Sequence, residues 1–266
     1  MMDKESTLLS FDNRTVNLVA PPLVVALAWL VSLSPLVFLM KGFHVWMHEL
    51  GHATVAWMSG FEALPVPFGW TSVGTERSPV VYFVVLGLLG LLFAAGWKER
   101  KAWPAVLALI LAVAQLYMTW FMPASRQYEL QIFAGEGGKF YLSALFMAAF
   151  FVQFPEPFRW GACRYLVLFL AASSFIDAFT SWSEVHRGLE DIPWGSMING
   201  EGDGDGDMNI LRDVYHWSNH RIFGTYYNLG LGCIAALAGV YAAFAFGLNR
   251  LPDLVLRHFH RESEGG

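Results

Sequence analysis

Long apolar stretches separated by short polar connections run through most of the chain. A helix needs about 20 mostly apolar residues to cross a bilayer, and most of these stretches have about that length. The pattern predicts an all-α, multi-pass membrane protein with six or seven transmembrane helices in one domain over residues 1–266. The predicted spans are 16–33, 35–58, 79–97, 103–122, 138–154, 160–181 and 223–248.

The first apolar stretch is too long for one span. It runs from Val16 to Trp57, about twice the bilayer thickness if it formed one straight helix. Ser34 followed by Pro35 is typical of an N-cap and a first helical residue, so it predicts a second helix over 35–58. The total is seven spans, or six if the first piece only lies on the membrane surface.

Two longer polar segments separate these spans. Between residues 60 and 78, prolines, glycines and β-forming residues predict a short β-hairpin or an irregular loop. Residues 182–222 are rich in Asp and Glu, and the ordinary interpretation of such a segment is a solvated loop.

Composition supports a membrane environment and excludes several functions. Hydrophobic residues make up 55% of the chain and charged residues 15%, against roughly 25% charged residues in soluble domains. The net charge of −5 and the lack of a basic run argue against a nucleic-acid partner. Two cysteines, Cys163 and Cys233, are too few for a disulfide framework or a cysteine-rich metal site.

Basic residues in the short connections predict the orientation. Three connections are basic, namely residues 98–101, residues 155–164 and the tail after residue 248. Alternating spans place all three on one side, which the positive-inside rule identifies as cytoplasmic. The C-terminus is therefore predicted to be cytoplasmic, and the acidic segment 182–222 falls on the other side.

The strongest chemical signal is the sequence His48-Glu49-Leu50-Gly51-His52, an H-E-x-x-H motif. Residues four apart share one face of a helix, so both imidazoles can reach one ion. Glu49 lies beside them and can take a proton from a metal-bound water. Because ionisable residues are costly inside apolar helices, three of them within five positions indicate a metal site rather than a polar packing cluster.

In these residues the chain resembles the site-2-protease-like intramembrane zinc metalloproteases (peptidase family M50). The match consists of residues 48–53, the Gly-ending stretch 57–60 before a β-rich loop, and the small-residue stretch 138–146. The resemblance implies a membrane-embedded protease with one Zn²⁺ on His48 and His52 and with Glu49 as the general base. Better known members carry a Leu-Asp-Gly segment whose Asp is the third zinc ligand, and that pattern is absent here.

Asp177 is the first candidate for the third ligand. It is a lone carboxylate in an apolar span, about 25 Å along a helix that starts near Trp160, at 1.5 Å per residue. On the same measure His48 and His52 lie about 20–26 Å along a helix that starts at Pro35. The matching depths predict that Asp177 completes the site. The alternative is that it caps its helix near the outer interface.

Two further carboxylates stay open as third ligand. Asp207 ends the acidic patch and precedes a sequence that looks like a helix start. Glu136 directly precedes the fifth predicted span. Catalytic zinc takes three protein ligands and a water, and the protein ligands are usually His nitrogens or Asp and Glu oxygens.

The sequence therefore predicts a zinc metalloprotease acting on transmembrane or membrane-proximal segments of a membrane-protein substrate in the lipid bilayer. Two alternatives are a non-catalytic membrane sensor or scaffold with a structural zinc, and a metal transporter. Glu49 discriminates between them, since a structural zinc site or a transporter does not need a general base in the motif.

Overall fold

The computed structural model describes residues 11, 13–100, 102–154, 161–195 and 204–246. These residues are mostly helical, with one small antiparallel sheet. In chain order the elements are α1 (Arg14–Ser32), α2 (Val37–Met58), β1 (Phe61–Val66), β2 (Trp70–Arg77), α3 (Pro79–Lys98), α4 (Ala102–Trp120), α5 (Ala124–Ala149), α6 (Cys163–His186), α7 (Asp207–Asp213) and α8 (Asn219–Ala245).

Several helices begin where the sequence supplies a capping residue. The side chain of Asn13 accepts a hydrogen bond from the Val16 amide at the start of α1, and Ser218 does the same for the Arg221 amide at the start of α8. In α3 Pro79 occupies the first turn, where its missing amide hydrogen costs nothing. The predicted break at Ser34 is present, although α2 begins at Val37, two residues later than expected.

Five helices are long and apolar enough to cross a membrane, namely α1, α3, α4, α6 and α8. The chain is thus a mostly helical protein with several candidate membrane spans, as the sequence predicts. The expected six or seven spans also included the helices now seen as α2 and α5. These two carry more polar residues, many of them buried, which is why length and apolar composition do not select them.

Helices α2 and α5 form the centre of the protein, where they cross closely. A Cβ on Gly51 would collide with the backbone of Ala134, and a Cβ on Gly138 would lie 2.5 Å from the Gly51 Cα. The glycines therefore let the two backbones touch, as small residues do at membrane helix crossings. Helix α3, by contrast, buries only Gly96 and packs chiefly on α4.

Helix α5 differs most from its prediction. The sequence predicts a span at 138–154, whereas α5 begins at Ala124 and ends at Ala149. Its first half looks extramembrane because it is polar, but its polar groups have partners inside the protein. Gln127 donates to the Gln131 side chain, and Glu129 accepts a hydrogen bond of 2.7 Å from Trp217 Nε1.

The segment after α2 forms the predicted β-hairpin. Strands β1 and β2 pair antiparallel, with Val66 opposite Trp70 and Leu64 opposite Ser72. Gly69 in the connecting loop has a φ of 92°, a conformation that glycine adopts without strain. Within the described residues β2 pairs with β1 alone.

The acidic segment 182–222 is more structured than a solvated loop. Helix α6 continues to His186, the short helix α7 occupies Asp207–Asp213, and α8 begins at Asn219. Parts of other predicted features lie outside the described residues: the start of the sixth span at residue 160, the end of the last span at 248, the basic tail, and residues 200–203 of the acidic patch.

Candidate metal centre

Three ligand atoms from distant parts of the chain meet in the interior. His48 and His52 project from one face of α2, and Asp207 comes from the first turn of α7. Asp207 Oδ2 lies 3.0 Å from His48 Nε2 and 3.2 Å from His52 Nε2, and the two nitrogens are 3.1 Å apart. The three atoms thus form a nearly equilateral triangle.

The other nitrogen of each imidazole is already bonded to an acceptor. His52 Nδ1 lies 2.7 Å from the backbone oxygen of Gln131, and His48 Nδ1 lies 3.2 Å from Glu136 Oε1. A carbonyl and a carboxylate only accept, so both Nδ1 atoms carry the hydrogen. In neutral imidazoles the two Nε2 atoms then present lone pairs, and three acceptors converge on one point.

The triangle has the dimensions of one face of a zinc coordination shell. Zinc binds His nitrogen at about 2.0–2.1 Å and carboxylate oxygen at about 2.0–2.2 Å in tetrahedral geometry, which places neighbouring ligand atoms about 3.3 Å apart. The observed separations of 3.0–3.2 Å are close to that value. These residues fit a zinc ion.

Asp207 carries the negative charge of the site. Burial by itself would raise the pKa of the Asp207 carboxyl, but the imidazoles of His52 and His48, in their protonated form, outweigh burial and hold that pKa below its usual range. Its Oδ2 atom is buried and makes no hydrogen bond with suitable geometry in the described part of the chain. An ionised oxygen in this setting is suited to a cation.

Glu49 lies next to the triangle in the same cleft. Its carboxylate is almost fully buried, and the Thr71 hydroxyl on β2 lies 2.6 Å from Glu49 Oε2. The cleft has a volume of about 710 Å³ and runs from β2 on one side to the segment around Gly195 and α7 on the other. Glu49 is therefore held by the hairpin at the edge of a space that a substrate could occupy.

Helix α5 approaches the triangle with its bare backbone. At Gly135 an added Cβ would lie 2.5 Å from His52 Nε2 and 2.6 Å from Asp207 Oδ2. Any side chain at this position would displace two of the three ligand atoms. Gly135 thus allows Gln131 and Glu136, four residues before and one after it, to reach the two imidazoles.

A second close backbone contact positions Asp207. Gly206 precedes α7, and a Cβ on it would collide with the backbone oxygen of Gly195. The Gly195 amide donates to Asn209 Oδ1 at 2.8 Å. The segment ending at Gly195 is thereby fixed to α7, and α7 carries Asp207 to the histidines.

Asp177 does not join this group, and we replace it with Asp207 as the third candidate ligand. Asp177 Oδ1 lies 3.4 Å from His44 Nδ1, and Asp177 Oδ2 lies 2.9 Å from Lys139 Nζ. Depth along the helices does not explain this contact, because with α2 starting at Val37 and α6 at Cys163 Asp177 still lies at about the depth of His52. The packing of α6 on α2 instead brings Asp177 to His44, one turn before His48.

Glu136 was considered as a third metal ligand, but in the structure it is a hydrogen-bond partner of His48. It contacts His48 through Nδ1, the nitrogen that does not belong to the triangle. Its second oxygen accepts a hydrogen bond of 3.1 Å from Trp182 Nε1. The sequence did not predict that Trp182 and Lys139 contact Glu136 or that Thr71 contacts Glu49. Of these three residues, only Lys139 stands out in the sequence, because it is a cation in an apolar span.

This donor set suits hydrolytic metal chemistry. Two neutral imidazole nitrogens, one carboxylate oxygen and an adjacent second carboxylate are what a mononuclear catalytic zinc site needs.

Comparisons of the chain with protein-family models, with curated proteins and with solved structures find no match.

Proposed function

We propose that the protein is a membrane-embedded zinc metalloprotease that cleaves transmembrane or membrane-proximal segments of other membrane proteins. The observation that carries this proposal is the convergence of three acceptor atoms, from His48, His52 and Asp207, beside Glu49. A zinc ion held by these three residues would supply a Lewis acid that polarises a carbonyl and acidifies a water molecule.

Glu49 is the general base in this proposal. Its carboxylate takes the proton from the attacking water and afterwards gives it to the nitrogen of the leaving amine. The Thr71 hydroxyl, 2.6 Å from Glu49 Oε2, fixes the orientation of the carboxylate. The Nδ1 hydrogen bonds to Glu136 and Gln131 keep His48 and His52 in the tautomer that leaves Nε2 free.

The shape of the cleft favours an extended peptide segment as substrate. A peptide bond within a helix is shielded by its backbone hydrogen bonds, so the segment must unwind before hydrolysis. One wall of the cleft is formed by Gly69 and by the start of β2, from Trp70 to Val73, and among the residues that the structure describes β2 pairs with β1 alone. An extended segment lying along β2 would pass between Thr71 and α7, close to Glu49.

The membrane arrangement in this proposal places α2 and α5 inside the bilayer, enclosed by the apolar helices, which gives the six or seven spans expected from the sequence. Buried polar side chains on α2 and α5 face the protein interior, where such residues are tolerated. The basic connections at the ends of α3 and α5 support a cytoplasmic C-terminus by the positive-inside rule. The cleft then opens on the opposite side, next to the hairpin and α7.

The test combines metal content with peptide cleavage. Wild-type protein and the Glu49→Gln variant, purified in detergent, are assayed for zinc and for cleavage of a membrane-spanning peptide with short polar flanks. We expect one zinc per chain in both proteins and cleavage by the wild type alone. Equal zinc with no cleavage by the wild type would favour the non-catalytic zinc site, whereas zinc-free wild-type protein would refute the metal centre.

A further inference from the structure

Lys139 is a buried cation in the centre of the helical bundle. Its side chain is 10% exposed, with Nζ 2.9 Å from Asp177 Oδ2 and 3.6 Å from Glu136 Oε1. An ammonium group in such a place requires carboxylate partners, because the loss of hydration costs several kcal/mol. Lys139 therefore bridges two carboxylates, one on α5 and one on α6.

One of these carboxylates leads directly to the candidate metal centre. The Glu136 Oε1 atom that faces Lys139 also accepts the hydrogen bond from His48 Nδ1. Glu136 Oε2 is occupied by the indole of Trp182. Lys139, Trp182 and His48 thus surround one carboxylate group and fix its position.

The other carboxylate is anchored on the far side. Asp177 Oδ1 lies 3.4 Å from His44 Nδ1, and His44 Nε2 lies 2.9 Å from the Ser173 hydroxyl. A continuous polar chain therefore runs from Ser173 through His44, Asp177, Lys139 and Glu136 to His48. The chain passes through three helices, α2, α5 and α6.

The charges of this polar chain and of Asp207, taken together, balance when a divalent ion is present. Asp207, Glu136 and Asp177 contribute three negative charges, Lys139 contributes one positive charge, and Zn²⁺ contributes two. Glu49, whose partner is the neutral Thr71 hydroxyl, adds one further negative charge at the cleft. Lys139 is thus the protein's own positive charge between the buried Glu136 and Asp177, whose side chain is 35% exposed.

We propose that Lys139 is a positioning residue for the metal centre: it holds Glu136 against His48, and Asp177 holds Lys139 from the other side. This inference rests on the proposed zinc site. Partners that orient a metal-binding imidazole commonly change metal affinity 10–100-fold when they are removed. Lys139 acts one step further out, through Glu136.

The simpler alternative is that Lys139 and Asp177 form an ion pair that only stabilises the fold. The double variant Lys139→Met/Asp177→Asn separates the two roles, because it removes both members of the pair and leaves no unpaired charge between them. If the pair is only structural, this variant binds zinc as tightly as the wild type. If Lys139 positions Glu136, the double variant binds zinc more weakly than the wild type, although it leaves no unpaired charge.

The experiment measures zinc affinity by competition with a chromophoric chelator, together with the visible spectrum of the cobalt-substituted protein, on the full chain in detergent. We expect the double variant to bind zinc about tenfold more weakly and to show an altered cobalt spectrum, while Asp177→Asn alone, which leaves Lys139 beside Glu136, loses less affinity than the double variant. In a Glu136→Gln background, adding the Lys139→Met/Asp177→Asn pair should change zinc affinity less than about twofold, because the residue through which Lys139 acts is already altered.

The outcomes are distinguishable. A double variant with wild-type affinity and spectrum, or a further tenfold loss in the Glu136→Gln background, would overturn the positioning role alone. A wild-type protein that binds neither zinc nor cobalt would overturn the proposed metal centre and this inference together. Thermal unfolding of each variant shows whether a loss of metal reflects a loss of the fold.

Discussion

Replacing Gly135 with alanine is expected to abolish metal binding while the helical fold survives. The new Cβ would lie 2.5 Å from His52 Nε2, about 0.9 Å short of the 3.4 Å at which ordinary van der Waals contact begins. Asp207 Oδ2, at 2.6 Å, would be displaced by almost as much. Metal sites tolerate deviations of about 0.2 Å in ligand distance, so the required shift is several times too large.

The cost to the fold should be modest. An alanine in a helix interior gains roughly 0.5–1 kcal/mol over glycine, and one extra methyl group in a packed interior costs about 1–3 kcal/mol. The net change lies between zero and about 2.5 kcal/mol of destabilisation, less than the 5–15 kcal/mol by which folded proteins are usually stable. Gly135→Ala should therefore be obtained as folded protein without zinc.

The assay compares zinc content and thermal unfolding of Gly135→Ala with those of Gly232→Ala. Gly232 also lies in a helix, α8, but a Cβ there would meet nothing within 4 Å. The control should keep both zinc and stability. One zinc per chain at wild-type affinity in Gly135→Ala would show that α5 does not lie against the ligands as described.

Three other changes test the remaining parts of the site. Replacing both His48 and His52 with Ala should remove zinc from the purified protein, and a full equivalent of zinc in that variant would exclude them as ligands. Glu49→Gln should keep zinc and lose peptide cleavage, so turnover near the wild-type rate would exclude Glu49 as the base. Asp207→Asn should weaken zinc binding by more than the 10–100-fold typical of an outer partner, whereas Asp177→Asn should leave one zinc per chain; the reverse result would restore Asp177 as the ligand.

The sequence predicts the helices well where apolar length and capping residues agree. The third span was expected at 79–97 and is found as Pro79–Lys98, since Pro79 fixes its start and an uncharged stretch fixes its length. For the segment after α2, the prolines, glycines and β-forming residues predicted a β-hairpin or an irregular loop, and the hairpin is the one found. Both features depend on local sequence alone, so they can be predicted without knowledge of the tertiary structure.

The sequence does not predict helices whose polar groups are satisfied by distant partners. The first half of α5 looks like a loop until Trp217 is seen to donate to Glu129, across 88 positions of the chain. The buried contact between Glu136 and Trp182 is equally non-local. Local hydropathy cannot distinguish a polar residue facing water from one facing a partner inside a bundle.

The choice of third ligand depended on how two helices pack against each other, which depth along each helix does not determine. Helix α6 starts three residues later than expected and α2 two residues later, so the relative depth of Asp177 changes by only about 1.5 Å, yet its carboxylate meets His44. The residues of the H-E-x-x-H motif needed no such estimate, because their spacing within one helix fixes their common face.

The partners of the two aspartates give a physical reason for preferring Asp207. Asp177, whose side chain is 35% exposed, already has a cation in Lys139, 2.9 Å away. Within the described residues Asp207 contacts two imidazoles rather than a Lys or Arg. Because the Nδ1 hydrogens of both imidazoles are directed elsewhere, a metal ion between the two Nε2 atoms and Asp207 Oδ2 would satisfy all three groups at once. His48, His52 and Asp207 line one cleft together with Glu49 and Thr71, so a metal ion held by the three residues would face the space in which the proposed substrate lies.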